Sequence, residues 1–129
     1  MAPLAGLTVL AVDDEPDTLR LMRDIVELTG ATVVSASSVD EAMIELTRQV
    51  PDVLVADFGL PLADGCGLIA RIRQSPDERV RSLPSIALTA FERSEDRVRA
   101  LSSGFQRHLT KPLAPRELME AIAALGKKH

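Results

Sequence analysis

The chain alternates short apolar runs with amphipathic stretches five times along its 129 residues. Four of the runs are rich in Val, Leu, Ile and Ala and are bounded by polar or turn-forming residues, which is typical of buried strands. The fifth is weaker. The runs are Leu7–Val12, Thr32–Ala36, Val53–Ala56, Ser85–Leu88 and Phe105–Leu109. This alternation predicts an α/β fold, in which a parallel sheet is covered by helices on both faces.

The amphipathic stretches carry signals that begin and end helices. Pro16 suits the first turn of a helix, and Gly30 is a natural terminator for it. Ser38 followed by Glu41 matches a capping box, which predicts a second helix from that point. Residues 74–83 are polar and include a proline, so we predict a loop there that can hold the frayed end of a helix. The remaining helices are predicted around Leu68–Ile72, from Ser94 to Gly104 with Val98 and Leu101 as its apolar residues, and from Pro115 towards the C-terminus.

Five strands and five helices favour one topology. Right-handed crossovers arrange the strands in the order 2-1-3-4-5, which is the flavodoxin-like (βα)5 sandwich. In such sheets, ligands bind outside the carboxyl ends of the strands, at the switch point between strands 1 and 3. We expect residues 1–129 to form a single domain, because the chain leaves no room for a second one of ordinary size.

The composition excludes several classes of protein. The single cysteine, Cys66, rules out an internal disulfide and a zinc site built from several cysteines. No apolar run approaches the roughly 20 residues of a membrane span, and no signal-peptide pattern begins the chain, so we expect a cytoplasmic protein without membrane contact. The net charge of −4 argues against nucleic acid as the main partner. Residues 71–107 hold eight arginines, which fit either a solvated surface or a docking face for an acidic partner.

Polar side chains follow four of the five predicted strands. Asp13 and Asp14 come after the first strand, Asp57 after the third, Thr89 after the fourth and Lys111 after the fifth. Because the carboxyl ends of parallel strands meet at one edge of a sheet, we expect all five in one cleft. Three carboxylates repel one another unless a cation is present, and hard oxygen ligands suit Mg²⁺. With an ammonium and a hydroxyl opposite them, they predict a site for a phosphoryl group.

Each of these residues also has an ordinary explanation. Asp14 could cap the first helix, Asp57 could be a turn residue at the end of a strand, and Thr89 is β-branched and suits any strand. Lys111 could be a solvated loop charge, although it is the only lysine outside the C-terminal tail. Their joint placement at four separate strand ends favours the phosphoryl site over coincidence.

Four short motifs resemble those of one known family. They are Val12–Glu15, Asp57–Pro61 with Asp64–Gly65, Leu88–Ala90 and Thr110–Pro112. In this order and spacing they resemble the receiver domain of two-component response regulators, over nearly the whole chain. The resemblance implies that the protein takes a phosphoryl group from the phosphohistidine of a sensor histidine kinase or a phosphotransfer domain, and then acts on a downstream protein target.

The resemblance also implies a role for each site residue. Asp57 would be the phosphoacceptor. Mg²⁺ would be held by Asp14, Asp57 and the backbone carbonyl of Gly59, with Asp13 acting mainly through a metal-bound water. Lys111 would pair with a phosphoryl oxygen. The protein would catalyse its own phosphorylation and a slow dephosphorylation, and it would not be a turnover enzyme.

Two more positions bear on switching and on the lifetime of the phosphoryl group. In the family, the hydroxyl at Thr89 moves towards the phosphoryl group and biases the surface of the fourth helix, fifth strand and fifth helix. In the family, an aromatic residue usually stands three residues before the lysine. In this chain that position is His108, which either fills the same space or is an ordinary strand residue. Gly59 and Phe91 offer no side chain to orient an attacking water, so we expect slow to moderate dephosphorylation.

Three other functions compete with this interpretation. Enzymes of the haloacid dehalogenase type also combine an aspartyl nucleophile with Mg²⁺, but their nucleophile follows the first strand, whereas here the acidic pair comes first. A nucleotide-binding flavodoxin-like module would carry a glycine-rich phosphate loop, which this sequence lacks. A pseudo-receiver that only docks other proteins is the third, and the complete set of five site residues argues against it.

The output of the protein stays open at the level of sequence. The chain is either a stand-alone receiver or the receiver of a hybrid sensor histidine kinase. Residues 3–7 and 104–109 of this chain resemble the receivers that are attached to such kinases. Whether phosphorylation drives formation of a homodimer also stays open.

Overall fold

The computed structural model of the protein describes residues 4–57, 67–89 and 94–126. Their helices and strands, in chain order, are β1 (Thr8–Val12), α1 (Pro16–Glu27), β2 (Thr32–Ala36), α2 (Val39–Arg48), β3 (Val53–Asp57), α3 (Gly67–Arg73), α4 (Glu78–Arg81), β4 (Ser85–Thr89), α5 (Ser94–Ser103), β5 (Arg107–Thr110) and α6 (Pro115–Gly126). All four pairs of neighbouring strands are parallel. The strand order is β2-β1-β3-β4-β5, which confirms the predicted flavodoxin-like topology.

Both faces of the sheet are buried. Successive side chains of each strand point to opposite faces, and helices cover the side chains on each face. Val9 and Ala11 of β1 belong to one core, which α1 and α6 cover with Met22 and Ile122. Leu10 and Val12 belong to the other core, which is covered by α2, α3, α4 and α5. The nearly continuous apolar strands therefore reflect a sheet without a solvent face, as the sequence predicts.

The helix signals in the sequence are largely confirmed. Pro16 is the first residue of α1, and Gly30 lies beyond its end with a φ of 92°. The Ser38 hydroxyl accepts a hydrogen bond from the Glu41 N–H at 3.1 Å, as in a capping box. The returning half of the box differs, because the Glu41 carboxylate accepts from the N–H and the hydroxyl of Ser37. These hydrogen bonds lower the pKa of Glu41.

The loop predicted over residues 74–83 is wrong in part, because it contains the one-turn helix α4. The Asp77 carboxylate begins this helix by accepting a hydrogen bond from the Arg79 N–H at 2.9 Å. Val80 and Leu83 then bury their side chains in the core that covers one face of the sheet. This short polar segment is therefore held against the core by two buried apolar side chains, Val80 and Leu83, and it has no periodic apolar face.

The register of the strands brings their carboxyl ends to one edge of the sheet. Val12 pairs with Ala56, and Thr89 pairs with Thr110. The chain after β5 stays beside β4, because the Lys111 N–H donates to the Thr89 carbonyl at 2.8 Å. Residues that follow β1, β3, β4 and β5 therefore meet at this edge. Within the described ranges, no helix has both the length and the apolar character needed to cross a membrane.

Candidate functional site

The three predicted carboxylates meet at the carboxyl edge of the sheet. Asp13 follows β1 and is fully buried, Asp14 is exposed, and Asp57 ends β3 with its side chain 12% exposed. One carboxylate oxygen from each lies within 4.8 Å of the other two. The register explains this proximity, because Asp13 and Asp57 follow the paired residues Val12 and Ala56.

The ammonium group of Lys111 lies among these carboxylates. Its Nζ is 2.9 Å from Oδ2 of Asp13 and 3.4 Å from Oδ2 of Asp57. It also donates a hydrogen bond of 3.2 Å to Oε1 of Glu15, a residue to which the sequence assigned no role. The peptide bond between Lys111 and Pro112 is cis. The lysine side chain is only 17% exposed, so its charge acts inside the site.

Burial and the neighbouring charges shift the pKa of Asp13 and the pKa of Lys111. Burial raises the pKa of Asp13, and the nearby Asp57 carboxylate adds to this effect, whereas the Glu15 N–H and the Lys111 ammonium oppose it. Burial by itself would lower the pKa of Lys111, but the carboxylates of Asp13, Asp57 and Glu15 outweigh it and raise that pKa. Lys111 is therefore a cation throughout the neutral range.

The donor set suits a hard divalent cation. Asp13, Asp14 and Asp57 offer three carboxylate oxygens, and one ammonium does not balance their charge. Oδ2 of Asp13 is buried 2.9 Å from the Lys111 ammonium, a contact that uses at most one of its two lone pairs and leaves the other for a metal. Mg²⁺ prefers such oxygen ligands and keeps several waters. The predicted carbonyl ligand, Gly59, lies outside the described residues, as does Phe91.

Thr89 and His108 form a second contact beside the carboxylates. Thr89 ends β4 with 5% of its surface exposed, and its Oγ1 shares a hydrogen bond of 2.6 Å with Nε2 of His108 on β5. His108 pairs with Ala87 in the register, so it lies diagonal to Thr89 on the same face of the sheet. The direction of this hydrogen bond depends on the tautomer of the histidine ring.

The comparison with protein families identifies the family of the chain. A family model described as "response regulator receiver domain" matches residues 9–123. The chain belongs to this family.

Relatives of the receiver support the assignment. An uncharacterized 14.6 kDa protein in the sodA1 3′ region of Leptolyngbya boryana is 46% identical over 95% of this chain and 92% of its own. The phosphate regulon transcriptional regulatory protein PhoB of Escherichia coli is 32% identical over 93% of this chain but only 52% of its own length. The receiver therefore spans about half of the PhoB protein that it matches.

A solved structure agrees with the fold of the receiver. The receiver domain of the sensor histidine kinase PA1611 from Pseudomonas aeruginosa superposes with a TM-score of 0.83 at 30% identity, over 95% of this chain and 98% of that one. That structure holds a magnesium ion coordinated in its active-site cleft.

Sequence reasoning missed one residue of the receiver's site. Glu15 was part of a recognised motif, but nothing in the sequence indicated that its carboxylate would reach a lysine 96 positions away. The available signal was weak: Glu15 occupies the N-cap position of α1, where a glutamate side chain does not cap, and its carboxylate makes no capping hydrogen bond. Its side chain is therefore free to reach across to Lys111.

Proposed function

We propose that this receiver domain takes a phosphoryl group from a phosphohistidine onto the carboxylate of Asp57, in a Mg²⁺-dependent reaction, and changes its surface in response. One observation carries the proposal. Asp57 lies at the carboxyl edge of the sheet with Asp13 and Asp14 within 4.8 Å and the Lys111 ammonium 3.4 Å away. A carboxylate able to act as a nucleophile, oxygen ligands suited to a cation and a fixed positive charge thus lie together, which supports phosphoryl transfer.

Each residue of the site has a separate role in the proposed phosphoryl transfer. An oxygen of Asp57 attacks phosphorus, the bond from phosphorus to the imidazole nitrogen of the donor breaks, and that nitrogen keeps the electron pair. Lys111 offsets charge on the transferred oxygens, and its contact with Asp57 orients the nucleophile. Asp13, Asp14 and Asp57 would hold Mg²⁺, which when bound neutralises charge on the phosphoryl group.

The proposed switch follows from the charge that arrives. The phosphorylated side chain carries about −1.5 to −2 at neutral pH, more than the carboxylate that it replaces. Thr89 and Lys111 are the proposed partners of the new oxygens. Because Thr89 is hydrogen-bonded to His108, a movement of its hydroxyl changes a contact with β5. The surface that responds is the one formed by α5, β5 and α6, and hydrolysis of the acyl phosphate resets it.

The proposed partners follow from the same chemistry. The phosphodonor is a sensor histidine kinase or a phosphotransfer domain, and the output is contact with a downstream protein. Val98 and Leu101 on α5 are exposed and offer apolar surface for such a contact. A docking module that is never phosphorylated is not favoured, because it would have no use for the carboxylate cluster or for the partly buried lysine beside it.

The proposal is tested by phosphorylation with a small donor. The protein and its Asp57→Asn variant are incubated with Mg²⁺ and acetyl phosphate and then weighed intact by mass spectrometry. We expect one phosphoryl group on the wild-type protein only, and none after Mg²⁺ is chelated. If neither protein gains mass, with acetyl phosphate or with a phosphorylated phosphotransfer domain, the proposed function is wrong.

A further inference from the structure

The ammonium group of Lys111 lies close to three carboxylates. Its Nζ lies 2.9 Å from Asp13, 3.2 Å from Glu15 and 3.4 Å from Asp57. An ammonium group has three N–H donors, and three carboxylates surround it, Glu15 through a hydrogen bond and Asp13 and Asp57 at ion-pair distance. A phosphoryl oxygen on Asp57 would be an additional acceptor. Lys111 can bind it only by releasing one of its present partners.

Burial decides which partner is released. Asp13 is fully buried, and a buried carboxylate that loses its counter-charge is strongly destabilised. Asp57 is the group that receives the phosphoryl group, so its oxygens stay beside the lysine. The Glu15 side chain is 64% exposed, and water can replace the lysine there at little cost. Glu15 is therefore the exchangeable partner.

The local structure of Glu15 fits this exchange. Its backbone N–H donates to Oδ1 of Asp13 at 2.9 Å, which fixes the main chain beside the site. Its side chain makes no capping hydrogen bond to α1, although Glu15 is the N-cap residue. The carboxylate can therefore leave Lys111 without disturbing the helix or the buried aspartate.

We infer that Glu15 is a positioning residue that holds Lys111 in the unphosphorylated protein and gives it up to the incoming phosphoryl group. The inference rests on the proposed function. The contact with Glu15 competes with phosphorylation, so its removal makes Lys111 available and speeds the transfer to Asp57. The same change slows hydrolysis of the acyl phosphate, because Lys111 then stays on the phosphoryl oxygens.

The test compares two substitutions of Glu15 with a matched control. Glu15→Gln removes the charge, whereas Glu15→Asp keeps the charge on a side chain one methylene shorter, which withdraws it from Nζ. Asp17→Asn is the control, since Asp17 lies in the first turn of the same helix, its side chain is 96% exposed, and its ion pair is with Arg20. The rate of phosphorylation by acetyl phosphate with Mg²⁺ is followed by intact mass, and the thermal unfolding midpoint of each variant is measured alongside.

We expect both Glu15 variants to be phosphorylated about two- to fivefold faster than wild type, which is the range of an exposed ion pair. Asp17→Asn should match wild type, and no Glu15 variant should lose thermal stability. The inference is overturned if Glu15→Gln is no faster than Asp17→Asn. It is also overturned if Glu15→Asp behaves as wild type while Glu15→Gln is faster, because general charge repulsion would then explain the effect. A wild-type protein that gains no phosphoryl group would instead overturn the proposed function, and this inference with it.

Discussion

At the scale of single residues, the contact between Thr89 and His108 limits what the threonine can do. Thr89 has one hydroxyl proton, which it can donate to Nε2 of His108 or to a phosphoryl oxygen on Asp57, but not to both. We expect His108→Phe to lengthen the lifetime of the phosphorylated protein, because the imidazole no longer competes with the phosphoryl group for the Thr89 hydroxyl. A net hydrogen bond of about 1 kcal/mol corresponds to about a fivefold change. The measurement is the loss of phosphoryl mass after the donor is removed.

The matched control for this prediction makes the same His108 substitution in a protein that lacks the Thr89 hydroxyl. In a Thr89→Val background, His108→Phe should leave the lifetime unchanged, because no hydroxyl remains to be freed. Equal lifetimes for His108→Phe and wild type would show that the contact does not compete with the phosphoryl group.

The site shows which residues a sequence can predict and which it cannot. Asp13, Asp57, Thr89 and Lys111 stand directly at strand ends, so a correct topology is enough to bring them together. The Glu15–Lys111 hydrogen bond depends instead on how far two flexible side chains reach across the edge of the sheet. Such a distance is set by the packing of the whole edge, and no spacing in the sequence encodes it.

At the scale of helices and strands, Arg73 joins the ends of several elements. Its guanidinium is half-buried at the end of α3 and donates to the Gly104 carbonyl at 2.7 Å, to the Arg81 carbonyl at 2.9 Å and to the Gln106 side chain at 3.2 Å. Burial lowers its pKa, and the carbonyls replace lost water. We expect Arg73→Met to reduce the free energy of unfolding by about 1.5–3 kcal/mol, measured by urea denaturation. Arg71→Met should change it by less than about 1 kcal/mol, since the contact of Arg71 within the described part of the chain is an exposed ion pair with Asp40 at 3.4 Å.

The helices differ in how well their sequence predicts them. α1 buries Met22 and α6 buries Ile122, as their helical spacing indicates, but Leu21 and Leu28, which lie beside the predicted apolar face of α1, are 43% and 84% exposed. α5 was predicted to carry Val98 and Leu101 as its apolar residues, but it buries Ala100, and Val98 is 60% exposed. A small alanine lets a helix approach the sheet closely. The sequence pattern does not indicate that Ala100 is buried while the larger Val98 and Leu101 are exposed; the packed structure shows it.

At the scale of the whole molecule, we expect the carboxylate cluster to make thermal stability depend on Mg²⁺. Ligand binding to the folded state alone adds RT ln(1 + [L]/Kd) to the free energy of unfolding, which is about 1.4 kcal/mol at ten times Kd. A domain of this size should then unfold several degrees higher with Mg²⁺ than with a chelator. Calorimetry or circular dichroism is the suitable measurement, because the chain has no Trp and no Tyr.

Two variants make the Mg²⁺ prediction specific to the site. Asp14→Asn removes an exposed ligand of the cluster, so the midpoint should no longer rise with Mg²⁺. Asp40→Asn removes an exposed acid of α2 that pairs with Arg71, outside the cluster, so the rise should be kept. A rise of equal size in both variants would mean that Mg²⁺ acts on the general negative charge of the protein. The carboxylate cluster at the carboxyl edge would then have no part in the effect of Mg²⁺ on stability.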